Sequence, residues 1–123
     1  VQLIWQHPQE AVNPRRKMKT VLEEGGVLDE RLIHGLGIEK EWMERYPGEL
    51  SGGELQRFCI ARALGEKTSF LLADEITAML DLITQSQIWN FLLEEVRSRE
   101  IGILVVSHSE PLLQRICTGR IQL

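Results

Sequence analysis

Two short apolar runs that each stop at polar side chains constrain this chain most. Ser69-Phe70-Leu71-Leu72-Ala73-Asp74-Glu75 closes on two adjacent carboxylates, and Ile103-Leu104-Val105-Val106-Ser107-His108 repeats the design with a histidine at its end. Continuous apolar runs of this length suit strands covered on both faces of a parallel sheet. Between them, Ile88, Trp89, Leu92, Leu93 and Val96 fall at helical spacing within Thr84 to Arg97, so strand, helix and strand predict an α/β unit. A third strand-like segment, Val1-Gln2-Leu3-Ile4-Trp5-Gln6, ends in a glutamine. Open parallel sheets bind ligands beyond the C-terminal ends of their strands. Gln6, Asp74, Glu75 and His108 are therefore expected along one sheet edge.

The stretch from about Asn13 to Leu64 has a different texture. Turn signals at Pro14, Gly25-Gly26, Gly35, Gly37 and Pro47-Gly48 separate segments that read as helices. Within it, Leu50-Ser51-Gly52-Gly53-Glu54-Leu55-Gln56-Arg57 opens a helix running from Glu54 to Ala63. First-turn N–H groups have no intrahelical partner and sit at the positive end of the helix dipole, so an anion is favoured there, and glycine lets it approach the backbone. Taken alone, Ser51 and Glu54 fit an ordinary capping box equally well.

Composition narrows the class. At 123 residues, 43% hydrophobic and 26% charged, the chain can bury the core of one globular domain. A net charge of -4 gives no basic footprint for nucleic acid. Arg15-Arg16-Lys17 with Lys19 reads as a solvated face, and Trp42, Met43 and Trp89 as packing residues. No apolar run approaches the roughly 20 residues that span a bilayer, and no signal peptide is evident, so membrane association is expected only through a partner. Cys59 and Cys117 lack metal-ligand or redox spacing and read as small core residues in a reducing cytoplasm.

Together these motifs resemble the ATPase cassette of the ABC transporter family. Leu50 to Gln56 is similar to the signature motif, Phe70 to Glu75 to the Walker B strand with its glutamate, and Ala78-Met79-Leu80-Asp81 to the D-loop. Gln6 then matches the Q-loop glutamine and His108 the switch histidine. Gln6-His7-Pro8, Ala11-Val12-Asn13-Pro14 and Tyr46-Pro47-Gly48-Glu49 look most like the peptide and nickel importer branch. The resemblance implies an α/β fold: part of a P-loop NTPase (RecA-like) sheet with an inserted helical subdomain. Residues 1–12 would form the Q-loop strand and loop, 13–65 the helical subdomain, and 66–123 the C-terminal half of the α/β core. No G-x-x-x-x-G-K-[ST] phosphate loop occurs, and none of the ten glycines precedes lysine. The chain therefore looks like the part of a cassette from the Q-loop onward, expected to be inactive by itself.

The family also implies roles. ATP and Mg²⁺ are the expected cofactors, with Asp74 holding the metal through water and Gln6 sensing metal and γ-phosphate. Glu75 would polarise the attacking water, and His108 would keep that water in register. Ser51, Gly52, Gly53 and Glu54 would close on nucleotide held by a second ATPase subunit packed head to tail, with Asp81 reaching across the same interface. Transmembrane permease subunits would hold the complex at the inner, cytoplasmic face of the cell membrane. Three positions depart from the family pattern: Ile76 where proline commonly follows the glutamate, His7 where aspartate commonly follows the glutamine, and Met79 inside the D-loop. The alternatives are a non-transport ATPase of the same superfamily and an inactive interaction module. The interval between Gln6 and Ser51 is too short for the long coiled coil of a chromosome-maintenance ATPase.

Overall fold

In the computed structural model, residues 1–26, 29–78 and 80–116 are described, with side chains through Gln114. Met79 and Cys117, both noted above, lie outside them. Three strands form one parallel sheet in the order β1 (Gln2–Ile4), β2 (Phe70–Asp74), β3 (Gly102–Val106). Ile4 pairs with Ala73 and Asp74 with Val106, so all three strands end at the same edge. Each strand is shorter than the apolar run that predicts it. Trp5 and Gln6 lie past the end of the β1 ladder, and Glu75 leaves β2 because its backbone turns to φ 50°.

From β1 to β2 the chain is helical. It runs through α1 (Met18–Glu24), α2 (Glu30–Gly35), 3-10 turns at Pro8–Glu10, Lys40–Glu44 and Pro47–Glu49, and α3 (Gly52–Ala63). Met18, Val21 and Leu22 of α1 meet Leu55, Phe58 and Ile60 of α3 in a fully buried cluster closed by Trp42, whose ring tilts against Phe58 at 6.4 Å between centroids. The α1 and α3 ends approach so closely that a Cβ on Gly65 would lie 2.2 Å from the Gly25 carbonyl oxygen. Only glycine fits that crossing. Lys17 and Lys19 of the basic cluster pair with Glu44 at exposed positions, where such pairs contribute little.

The β2–β3 crossover is α4 (Leu82–Ser98), two residues longer than predicted at its start and one at its end; α5 (Glu110–Ile116) follows β3. Ile88, Trp89, Leu92 and Val96 form the buried stripe of α4, as their spacing requires. The same helix buries Glu95, which no apolar pattern anticipates. The Arg31 guanidinium holds both oxygens of that carboxylate, and Arg99, 3.7 Å from it, donates to the carbonyls of Leu64 and Gly65 at 2.8 and 2.7 Å. A buried carboxylate needs such partners. Here they join α2 and the end of α3 to α4.

Candidate nucleotide site at the sheet edge

Glu75 is the focus of the edge. Its left-handed φ of 50° carries a steric cost of about 1–2 kcal/mol for a residue with a Cβ. Two bonds hold it there: its N–H donates to the Val106 carbonyl at 2.8 Å, and its Oε1 accepts from the His108 N–H at 2.7 Å. The turn thereby aims a carboxylate across the C-terminal end of β3. His108 Nε2 lies 3.6 Å from the same oxygen, beyond hydrogen-bond range, and its imidazole is 98% exposed. Glu75 and His108, predicted on separate strands, are thus brought into contact. Glu100, the other non-glycine at positive φ among the described residues, follows the end of α4, so the conformation alone marks no site.

A polar set behind Glu75 fixes its turn. The buried Thr77 hydroxyl accepts from Gln85 Nε2 and from the Trp89 indole N–H, each at 2.9 Å. Glu75, Thr77, Gln85, Trp89, Ser107 and His108 are among the residues lining a cavity of about 390 Å³ beside it. Asp74 ends β2, half-buried, next to Val106 of β3. Gln6 is half-buried two residues past Ile4, at the same edge. No group of three or more His, Cys, Asp or Glu side chains that could hold a metal occurs among the described residues. Asp74 therefore fits a divalent cation only as one oxygen ligand among others supplied by water and phosphate.

The signature stretch forms the capping box that the sequence allows, with α3 starting at Gly52 rather than Glu54. Ser51 Oγ accepts from the Glu54 N–H at 3.1 Å and Glu54 Oε1 from the Ser51 N–H at 2.9 Å, a complete capping box. Each of these side chains is engaged with the other residue's backbone N–H, apart from the Glu75–His108 pair. A Cβ on Gly53 would lie 2.6 Å from the end of the Leu80 side chain, so this glycine admits the loop after β2 against the start of α3. Asp81 caps α4: it accepts from the Thr84 N–H at 2.8 Å and the Thr84 hydroxyl at 3.0 Å, bonds that hold its carboxyl below the usual range.

The sequence reading missed Thr77 with its two donors, and the role of Gln56 inside the signature stretch. Gln56 is 1% exposed, and its Nε2 donates to the carbonyls of Trp5 and Ile76, each at 2.9 Å. A signal existed, since Gln56 shares its helix row with Cys59, Ile60 and Ala63, all buried.

A parallel sheet carrying a carboxylate pair and a histidine at its C-terminal edge, beside a glycine-opened helix, matches the fold of a P-loop NTPase cassette. The ABC transporter family model matches residues 2–78. The chain belongs to the ABC transporter family. It is 32% identical over 130 residues to the uncharacterized ABC transporter ATP-binding protein YejF of Escherichia coli, covering 95% of this chain and 25% of that protein. Against the glutathione import ATP-binding protein GsiA of Pectobacterium atrosepticum it is 36% identical over 133 residues, 94% of this chain and 20% of GsiA. The nickel import ATP-binding protein NikE of Rhodospirillum rubrum is 34% identical over 129 residues, 95% of this chain and 47% of NikE. The chain thus spans less than half the length of each. The dimeric structure of MJ0796, a bacterial ABC transporter cassette, superposes with a TM-score of 0.74 at 25% identity over 91% of this chain and 53% of that one.

Proposed function

We propose that this chain supplies the hydrolytic edge and the signature helix of an ATP-driven transporter cassette, in which residues 13–65 act as the helical subdomain between residues 1–12 and 66–123. One observation carries the reading: the strained Glu75 turn places a carboxylate against His108 where a parallel sheet presents its ligands. Glu75 would take the proton of an attacking water, with the His108 N–H orienting the carboxylate. Asp74 would hold Mg²⁺, which neutralises charge on the phosphates, and Gln6 would meet metal and γ-phosphate from the loop after β1. The N-terminus of α3, exposed Ser51 with half-buried Gly52, Gly53 and Glu54, would close on nucleotide held by a second cassette, and Asp81 would lie at that junction. Because relatives at 32–36% identity include glutathione and nickel import proteins, a solute importer with permease subunits at the cytoplasmic membrane face fits better than a non-transport ATPase. Turnover would require a phosphate loop joined to these residues.

The test is Glu75→Gln in a complete cassette containing this chain. Hydrolysis is expected to fall by roughly 10² or more while ATP binding persists. Turnover at the unaltered rate would reject Glu75 as the base. The 123 residues alone are expected to show no turnover near 1 s⁻¹, the low end of ordinary enzymes.

A further inference from the structure

We propose that Gln56 is a positioning residue: its side-chain amide ties the loop carrying Gln6 to the turn carrying Glu75 and fixes both to the signature helix. The β1–β2 ladder stops at the pair Ile4–Ala73. Beyond it the strand ends carry carbonyls with no ladder partner, among them Trp5, immediately before Gln6, and Ile76, immediately after Glu75. Gln56 Nε2 donates one hydrogen to each, at 2.9 Å. The amide is a rung made by a side chain, inserted where the backbone ladder ends.

Chemistry explains why this residue is glutamine. Both partners are carbonyls, so the site needs two donors from one buried atom. A primary amide supplies them without charge; lysine and arginine would supply them only by burying a cation. The consequence is an Oε1 that is buried and without a partner among the described residues. Buried acceptors left in this state ask for a reason. Here the reason is that the two donors cannot be had without it.

Placement gives the rung its reach. Gln56 lies five residues into α3 from Ser51, about 7.5 Å along the helix axis, and Arg62 extends the anchorage by donating to the Ala11 carbonyl at 3.0 Å. A movement of α3 therefore carries with it the backbone on both sides of Gln6 and the backbone immediately after Glu75. This inference rests on the reading of Gln6 and Glu75 as parts of one ATP site.

The experiment is hydrogen exchange on a complete cassette containing this chain, read by mass spectrometry, with ATPase kinetics in parallel. Gln56→Met keeps volume and removes both donors. Exchange should rise about tenfold at residues 5–7 and 76–78 together, while the α1–α3 core stays protected. In the same variant kcat should fall about tenfold with ATP affinity within about threefold. If Gln56→Met fails to fold, Gln56→Glu replaces it: a buried, neutral carboxyl retains one O–H donor, so one of the two segments should loosen and the other hold. Unchanged exchange at both segments in either variant overturns the proposal, as does loosening spread evenly through α1 and α3. The exchange readout needs no turnover, so a cassette that proves not to hydrolyse ATP refutes the functional reading and leaves the rung to be judged by exchange.

Discussion

The helical segment and the sheet of this chain bury themselves very differently. Between Met18 and Leu64 the apolar side chains of α1 and α3 close on one another, and Met18, Leu22, Phe58 and Ile60 retain no exposed surface. The sheet finishes one face only. Ile4, Leu71 and Ala73 are buried, while Phe70, Leu104 and Val106, on the other face, keep 39%, 50% and 44% of their surface exposed. Parallel strands ordinarily carry cover on both faces. The helices are thus complete within these residues, whereas the sheet offers an apolar face that nothing described here covers. The Glu75–His108 pair sits on the unfinished region, and the capped helix α3 on the finished one.

The strongest way to break that comparison is to empty the helical core. Phe58→Ala should cost about 3–5 kcal/mol, because it removes a fully buried ring packed on Trp42 and the closed cluster cannot collapse into the space. Urea unfolding of this chain measures it. A loss under about 1 kcal/mol would mean that the helical segment is as open as the sheet.

A second, smaller effect sharpens the comparison through pH. Burial pushes the Cys59 thiol from 9.0 up to about 11, opposed by the nearby Arg62 charge. The folded thiol stays neutral where the unfolded one ionises, so between those values the unfolded state binds fewer protons and stability falls as pH rises. Below 9.0 the contribution is fully present; by about 11 it is lost, at a cost on the order of 2 kcal/mol. Cys59→Ala should flatten that part of the stability profile relative to the parent. Identical slopes in the two proteins would show that water already reaches the α3 core.

Much of this was legible because it is local. Apolar runs with polar ends marked β2 and β3, the helical stripe marked α4, and Ser51 with Glu54 spelled a capping box that the structure forms. The contact between Glu75 and His108 followed from placing two strand ends at one edge. What stayed hidden depends on where distant segments meet. Gln56 is one polar letter in a helix until Trp5 and Ile76 are seen beside it, and Glu95 reads as a solvated charge until Arg31 arrives from 64 residues away. Thr77, Gln85 and Trp89 look unrelated until α4 folds back over the turn after β2. Strand lengths were overread for the same reason: Trp5 and Gln6 lie past the last β1–β2 pair, Ile4–Ala73, and Glu75, which still donates to the Val106 carbonyl, turns out of β2.

The smallest expected effect on stability falls on the open face, and it tests the other half of the comparison. Leu104→Thr combined with Val106→Thr replaces two half-exposed apolar side chains with a β-branched residue that keeps strand preference and the backbone bonds of β3. Each change alters a surface that water already wets, so each should shift unfolding of this chain by no more than about 0.5 kcal/mol. Association is another matter, because an apolar strip along Phe70, Leu104 and Val106 is the kind of patch through which chains adhere. Light scattering over a rising concentration series should therefore show the parent chain growing in mass and the double variant growing less. A parent that stays strictly monomeric, or a double variant as unstable as Phe58→Ala, would show that the face is closed, and the contrast between the two regions would fall.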